Sequence, residues 1–206
     1  TTESVGDGLD MGNPFPGWHD GLCHRRALQF DPTPTGEWCG RGRPHRGLDM
    51  QTAGYEFWID EHHIVSSGGK ETISGGVAHF RKSAPLCSPA DGKVTHHKQT
   101  ETDVNSPNYG EGKGYGSYIR VTHDNGYRTI YGHVQAHFVA NGATVTRGEL
   151  IGATGGWIGN KEWDGNSVNA PHLHYEIRKG SNSNSAIENP YHHLVSGGDI
   201  KKQDYA

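Results

Sequence analysis

The alternation of apolar and polar residues predicts β-strands along much of the chain. The clearest segment is 172–177, where three apolar residues alternate with three polar ones: Leu173, Tyr175 and Ile177 with His172, His174 and Glu176. Side chains of a strand point alternately to its two faces. We therefore expect the apolar set to be buried and both histidines and the glutamate to share the opposite face.

Further patterns predict an antiparallel sheet with little helix. Candidate strands lie at about 55–59, 92–98, 117–122, 127–134, 143–146 and 149–154, with loops over 103–117 and 155–169. Asn125-Gly126 predicts a tight hairpin turn between two of these strands, because both residues tolerate positive φ. The second hairpin strand would place Tyr131 and His133 on one face. The chain shows no internal repeat and no heptad pattern.

Composition supports this mainly β fold class. Of 206 residues, 32% are hydrophobic and 31 are glycine, which is typical of short strands joined by tight turns. No apolar run is long enough for a membrane span. The net charge of −4, without a Lys/Arg block, gives nucleic-acid binding no electrostatic support. The chain begins without Met or an apolar leader, which we interpret as a mature or trimmed form whose export signal has gone.

The three cysteines leave the redox state open. Cys23 and Cys39 flank a Pro-rich loop and could close it with a disulfide, whereas Cys87 is expected to be a buried apolar residue. Three reduced thiols remain the alternative. The cysteines therefore do not determine the compartment.

Histidine and aspartate residues form a candidate zinc site. His45 and Asp49 are four residues apart, a span of roughly 13 Å in a straight strand, so Gly47 is expected to bend the backbone and bring them together. Two imidazoles and one carboxylate leave a fourth position open, as in catalytic zinc sites. The residues alone do not decide whether His172 or His174 binds the metal. His133 is a further candidate.

These segments resemble the lysostaphin/LytM-type zinc metallopeptidases, which cut peptide bonds in bacterial cell walls. The resemblance covers about 41–50 and 84–195 and rests on these motifs, in family order: His45-x-x-x-Asp49, Ala90-Asp-Gly-Lys-Val94, Tyr118-Ile-Arg-Val121, Tyr131-Gly-His133, Val145–Gly155 and Ala170-Pro-His-Leu-His-Tyr-Glu176. It implies a LytM-like antiparallel sheet core with a groove.

The resemblance also implies the roles of the site residues. His45, Asp49 and His174 would hold one zinc ion per chain, and His133 and His172 would be the acid/base histidines, with their individual roles open. Ligand histidines usually donate their second ring nitrogen to an acceptor, for which Glu176 is a candidate.

The implied function is hydrolysis of peptide cross-links in peptidoglycan by a secreted or periplasmic, monomeric enzyme acting on stem peptides or cross-bridges. We favour D-alanyl cross-links, which makes the chain a D,D-endopeptidase. A glycyl-glycine bridge endopeptidase is the alternative enzyme. A non-catalytic peptidoglycan-binding or amidase-activating module and a histidine-rich metal store are alternatives of other classes.

We predict three regions. Residues 1–40 form an irregular arm that packs on the core, 41–195 form the catalytic domain, and 196–206 form a tail. An insertion at about 51–83 interrupts the family pattern directly after Asp49, and we expect it to form a hairpin or lid that affects substrate choice.

The remaining histidine pairs are expected to be ordinary surface or hydrogen-bonded residues. Adjacent strand residues point to opposite faces, so His62-His63 and His96-His97 cannot chelate as pairs, and His192-His193 is interpreted in the same way. Four aromatic residues near the motifs are either groove walls or loop anchors: Tyr109, Tyr115, Trp157 and Trp163.

Overall fold

Short antiparallel strands dominate the part of the chain that the structure describes. The computed structural model describes residues 11–15, 26–28, 30–37, 42–67, 71–73, 75–107, 109, 112–158, 161–163, 171–190 and 193. Within these ranges there is no α-helix, and three single turns of 3-10 helix lie at Glu61–His63, Asp124–Gly126 and Asn184–Ala186. The prediction of a mainly β fold with little helix is confirmed.

The strands are named in chain order. They are β1 (Arg26–Leu28), β2 (Leu48–Gln51), β3 (Glu56–Asp60), β4 (Ser66–Ser67), β5 (Glu71–Ile73), β6 (Val77–Arg81), β7 (Pro85–Cys87), β8 (Gly92–Thr100), β9 (Gly112–Thr122), β10 (Tyr127–Gly132), β11 (Val134–His137), β12 (Thr144–Val145), β13 (Leu150–Thr154), β14 (Gly156–Ile158), β15 (Lys161–Trp163), β16 (His172–Lys179) and β17 (Ile187–Glu188).

One large antiparallel sheet carries the segments that the sequence singled out. Its strands follow the order β1-β2-β16-β10-β9-β8-β12, and β17 also pairs with β16. Its interior strand β16 shows the predicted alternation, since Leu173, Tyr175 and Ile177 have no exposed surface. They join the main apolar core, which also includes Leu48, Val121 and other buried side chains.

Two smaller sheets flank the large one. The first has the order β4-β11-β13-β7, and the second has the order β15-β14-β6-β3 with β5 also paired to β6. Phe57 and Phe80 pair across β3 and β6 and stack with ring centroids 5.0 Å apart. They pack against Phe138 in a second apolar cluster. The predicted insertion therefore contains an antiparallel strand pair whose apolar cluster is shared with Ala136, Phe138 and Ala153.

The predicted hairpin turn is confirmed. Asn125 and Gly126 have φ values of 58° and 77°, and β9 and β10 pair on either side of them. Three other expectations are wrong. The loop predicted at 103–117 gives way to a strand at Gly112, because β9 spans Gly112–Thr122. The strand predicted at 127–134 ends at Gly132, because His133 has a φ of 61° and breaks the alternation. The loop predicted at 155–169 contains the strand pair β14–β15, although only part of this interval is described.

The N-terminal segment 11–15 packs against the main apolar core. Met11 and Phe15 are 2% and 3% exposed and belong to the main apolar core. The backbone N–H of Gly12 donates to the carbonyl of Pro89, and that of Cys87 donates to the carbonyl of Pro14. The three-region division of the chain stays a prediction.

Cys87 is buried and reduced, as expected. The predicted disulfide between Cys23 and Cys39 lies outside the described residues. Across the described ranges, no helix has the length and apolarity needed to cross a bilayer.

Two histidines that pack between sheets make folding sensitive to acid. The rings of His96 on β8 and His137 on β11 stack with centroids 3.7 Å apart. Burial, together with the neighbouring His96, lowers the pKa of His137 to about 4. Burial also lowers the pKa of His96. The Nδ1 atom of His137 forms a 2.6 Å hydrogen bond with the hydroxyl of Ser66.

We predict that the free energy of unfolding falls as the pH is lowered from about 6.5 to about 4. In this window His137 of the unfolded chain binds a proton, whereas His137 of the folded protein stays neutral. The loss from this group should be on the order of 1–2 kcal/mol after solvent screening. Urea unfolding at pH 7.5 and 5 measures it. His137→Asn should reduce the change in the free energy of unfolding between these two pH values. His62→Asn, at an exposed histidine, is the control. Equal slopes in wild type and His137→Asn would contradict the prediction.

Candidate metal centre

Three side chains converge on one point in the large sheet. One ligand-type atom from each of His45, Asp49 and His174 lies within 4.8 Å of the others. The Nε2 atom of His45 is 3.3 Å from Oδ2 of Asp49, and the Nδ1 atom of His174 is 2.8 Å from Oδ1. All three residues are buried or nearly so. The sequence thus predicted a set of residues that the fold brings together.

Strand pairing explains the convergence. In the register between β2 and β16, Asp49 lies directly opposite His174. Directly opposite residues of antiparallel strands share a face and have Cβ atoms about 4.5–5.5 Å apart. His45 precedes β2 and is held by two 2.8 Å backbone hydrogen bonds with Asp31. The cross-strand pair and this bridge place all three donors together.

The backbone bends at Gly47, as predicted. Its φ is not among the positive values, so the bend alone does not require a glycine. A Cβ atom at this position would instead lie 2.6 Å from the carbonyl oxygen of Tyr175 and 2.8 Å from Nε2 of His174. The residue is therefore a glycine because β16 and the ring of His174 occupy the space of a side chain.

The two candidate acid/base histidines lie beside this cluster. The rings of His133 and His172 are T-shaped with centroids 4.6 Å apart, and the ring of His133 is 6.2 Å from that of His174. The Nε2 atom of His172 is 3.8 Å from Oδ1 of Asp49. All five residues named from the sequence therefore occupy one region.

His133 reaches the cluster through a strained backbone. Gly132 lies opposite His174 in the pairing of β10 with β16, and the next residue adopts a φ of 61°. Hydrogen bonds hold this conformation: the N–H of His133 donates to the carbonyl of Tyr115, and its carbonyl accepts from the N–H of Gly155. Positive φ in a non-glycine residue is uncommon and concentrates at functional sites.

Electrostatics differ between the members of the cluster. Burial raises the pKa of Asp49, but hydrogen bonds from His174 and His45 outweigh this effect and hold the pKa well below its usual value. Burial lowers the pKa of His174, yet the carboxylates of Asp49 and Glu176 raise it overall to about 9. Burial, with His172 and His174 nearby, lowers the pKa of His133 to about 3. His133 is therefore neutral at neutral pH.

Glu176 accepts a hydrogen bond from the candidate ligand, as expected. Its Oε1 atom is 2.8 Å from Nε2 of His174, on the side of the ring opposite Asp49. Two neighbours of Glu176 were missed as site residues. Arg178 continues the polar alternation of β16 and could have been found by extending it, whereas Tyr115 comes from β9 and carries no sequence signal for this contact.

The donor set fits zinc. Two imidazole nitrogens and a carboxylate are common zinc ligands, and tetrahedral ligands about 2.0–2.1 Å from the metal are roughly 3.3 Å from one another. The donors of His45 and Asp49 are separated by 3.3 Å and those of His174 and Asp49 by 2.8 Å.

Of the four aromatic residues named from the sequence, Tyr115 lies at the site, next to Glu176 and His174. Other described histidines and aromatic residues lie elsewhere. His79 stacks on Trp58, and His96 stacks on His137. Tyr109 is 60% exposed. Of the described residues, only the set of His45, Asp49 and His174 offers three clustered metal-ligand atoms. The side chains of Trp157 and Trp163 are not described.

The chain belongs to peptidase family M23. The model of this family matches residues 72–187, more than half of the chain. The match includes His133, His172 and His174, whereas His45 and Asp49 precede it, so their association with the site comes from the geometry. Members of the family are zinc metallopeptidases. The resemblance found in the sequence and the expected zinc cofactor are confirmed.

Curated relatives are similar over part of their length. The peptidoglycan DD-endopeptidase ShyC of Vibrio cholerae is 32% identical over 101 residues, covering 43% of this chain and 22% of the relative. An uncharacterized metalloprotease of Haemophilus influenzae is 30% identical over 153 residues, covering 74% of this chain and 22% of the relative. The chain thus spans about a fifth of the length of these relatives.

A solved structure with a similar arrangement is the catalytic domain of lysostaphin from Staphylococcus simulans. It is 22% identical, covers 86% of this chain and 96% of that domain, and gives a TM-score of 0.45.

We predict that Gly47→Ala destabilises the protein by about 2–4 kcal/mol and weakens metal binding, because the new methyl group would meet a backbone carbonyl and the ring of His174. Chemical unfolding and zinc titration measure the two effects. Gly42→Ala is the control, since its Cβ would meet nothing within 4 Å but its φ is +72°. This control should cost only about 1 kcal/mol. Equal losses in the two variants would show that space around Gly47 is unimportant.

Proposed function

We propose that the chain hydrolyses peptide cross-links of bacterial peptidoglycan, with one zinc ion held by His45, Asp49 and His174. The observation that carries this proposal is the convergence of these three donors beside His133 and His172 in a chain of peptidase family M23. When bound, zinc supplies Lewis-acid polarisation of the scissile carbonyl and lowers the pKa of a water molecule towards about 7.

The two further histidines take different roles in this proposal. His172 is the proton acceptor, because its Nε2 atom lies beside the donor cluster, 3.8 Å from Oδ1 of Asp49. His133 is the hydrogen-bond donor to the developing oxyanion. Its low pKa keeps the ring neutral, so a proton remains on one ring nitrogen without a positive charge. Within the described structure, its buried Nδ1 atom has no hydrogen-bond partner.

The substrate proposed is the D-alanyl cross-link. Curated relatives carry the names peptidoglycan DD-endopeptidase and DD-carboxypeptidase/endopeptidase, and they are 31–34% identical to parts of this chain. Peptidoglycan lies outside the cytoplasmic membrane, so the chain would act as a secreted or periplasmic protein. One chain supplies all five site residues, so a monomer would suffice.

We predict that His45→Ala and His172→Ala each lower cross-link cleavage at least a hundredfold, for different reasons. His45→Ala removes a zinc ligand, so bound zinc should fall. His172→Ala removes the proton acceptor, so zinc should stay bound at about one ion per chain. Metal analysis beside a cleavage assay separates the two roles, and His62→Ala is the matched control at an exposed histidine.

Chelation provides the complementary measurement. Removing zinc should abolish cleavage, and adding zinc back should restore it. Full cleavage by a verified metal-free preparation would refute the zinc mechanism. Zinc binding without any cleavage by the wild-type chain would favour the non-catalytic binding module.

The substrate proposal predicts which peptidoglycan is cut. Peptidoglycan with direct D-alanyl cross-links should release uncross-linked stem peptides, whereas peptidoglycan with glycine bridges should be cut at least tenfold more slowly. Mass analysis of the released fragments identifies the bond. Cleavage within glycine bridges alone would replace the D,D-endopeptidase proposal with the glycyl-glycine alternative.

A further inference from the structure

A closed polar network lies behind the candidate ligand His174. The carboxylate of Glu176 is 1% exposed and uses both oxygens. Its Oε1 atom contacts Nε2 of His174 at 2.8 Å and accepts from the hydroxyl of Tyr115 at 2.6 Å. Its Oε2 atom accepts from Nε and NH2 of Arg178 at 3.0 and 2.7 Å.

Arg178 also forms hydrogen bonds with groups other than Glu176. Its NH1 group donates to the carbonyl of Asn182, and its NH2 group donates to the Tyr115 hydroxyl at 2.9 Å. The side chain is buried beside the main core. A buried carboxylate without a partner would carry a large desolvation penalty, and His174 and Arg178 together lower the pKa of Glu176 despite its burial. The Tyr115 hydroxyl connects the two charged groups.

Tyr115 also connects the network to the other side of the site. Its carbonyl accepts from the N–H of His133 at 2.8 Å, and its ring lies 5.4 Å from the ring of His174. The same residue thus contacts the backbone of one candidate acid/base histidine and, through Glu176, the ring of a candidate ligand.

The network decides which nitrogen of His174 faces the cluster. In this structure both ring nitrogens of His174 donate, Nδ1 to Asp49 and Nε2 to Glu176. A neutral imidazole carries a proton on one nitrogen and a lone pair on the other. Because Glu176 keeps the Nε2 proton, loss of the Nδ1 proton would leave the lone pair on Nδ1, the nitrogen that faces the cluster. An outer carboxylate of this kind fixes the ring orientation and makes the ligand nitrogen more basic.

We propose that Glu176, Arg178 and Tyr115 form one positioning unit that holds Nδ1 of His174 in place for the metal and thereby sets the metal affinity of the centre. Tyr115 is the member that no spacing in the sequence indicated. The inference rests on the proposed zinc site and extends it beyond the three ligands.

The test measures zinc affinity rather than turnover. Zinc is titrated into metal-free full-length chain in competition with a chromophoric chelator, and the cobalt-substituted protein is examined by visible absorption. Glu176→Gln, which preserves shape but removes the charge, should weaken zinc binding about tenfold to a hundredfold and shift the cobalt bands. Tyr115→Phe, which removes a single hydroxyl, should give a smaller loss in the same direction. Glu176→Met should weaken zinc binding more than either of these substitutions.

A matched control separates positioning from a general structural role. His79 and Glu56 form the same kind of pair, with Nε2 and Oε2 2.8 Å apart, away from the site. Glu56→Gln should leave zinc affinity and the cobalt spectrum unchanged. Arg178→Lys should lower the melting temperature of the metal-free chain, because a lysine cannot make the paired contacts to Glu176. Tyr115→Phe should change zinc affinity with the melting temperature preserved.

The outcomes are distinct. A wild-type chain that binds no zinc overturns the proposed function and this inference together. Zinc binding by the wild type, with unchanged affinity and cobalt spectrum in Tyr115→Phe and Glu176→Met, overturns the positioning unit alone. Partial retention of affinity by Glu176→Gln relative to Glu176→Met supports it.

Discussion

The antiparallel register of β2, β16 and β10 is the constraint on which the centre depends. It places His174 opposite Asp49 on one side and opposite Gly132 on the other. A shift by one residue would turn each of these side chains to the other face of the sheet. Leu173, Tyr175 and Ile177 prevent such a shift, since it would move three fully buried side chains out of the core. The apolar face of β16 thus fixes the geometry of its polar face.

The buried carboxylates at the site need partners that balance their charge. Asp49 and Glu176 are 8% and 1% exposed and lie on opposite sides of the His174 ring. Buried carboxylates are costly without partners. Arg178 neutralises Glu176, and the imidazoles around Asp49 share its charge. A divalent cation at the three donors would complete this balance, which is consistent with a zinc-dependent family. Burial, together with the nearby His172 and His174, keeps His133 neutral.

The insertion at about 51–83 forms strands that lie outside the large sheet. Thr52 and Ser83 lie near its two ends: the Thr52 hydroxyl donates to the carbonyl of Lys82, and the Ser83 hydroxyl donates to the carbonyl of Thr154. The strands between them bury Phe57 and Phe80 in a cluster separate from the main core. Their outer face presents Trp58, 51% exposed and stacked on His79 at 4.4 Å. The second apolar cluster therefore lets the insertion fold beside the large sheet.

The sequence by itself determined the local features: the mainly β class, the faces of β16, the Asn125-Gly126 turn and the residue types of a zinc site. These follow from side-chain alternation and backbone preferences, which act over a few residues. Only the tertiary structure decided which distant groups meet. Gly47 is needed because β16 fills the space beside it, His133 leaves its strand through a positive φ, and Tyr115 reaches Glu176 from a strand 61 residues away in sequence. Such contacts depend on strand order and register, which no local pattern specifies.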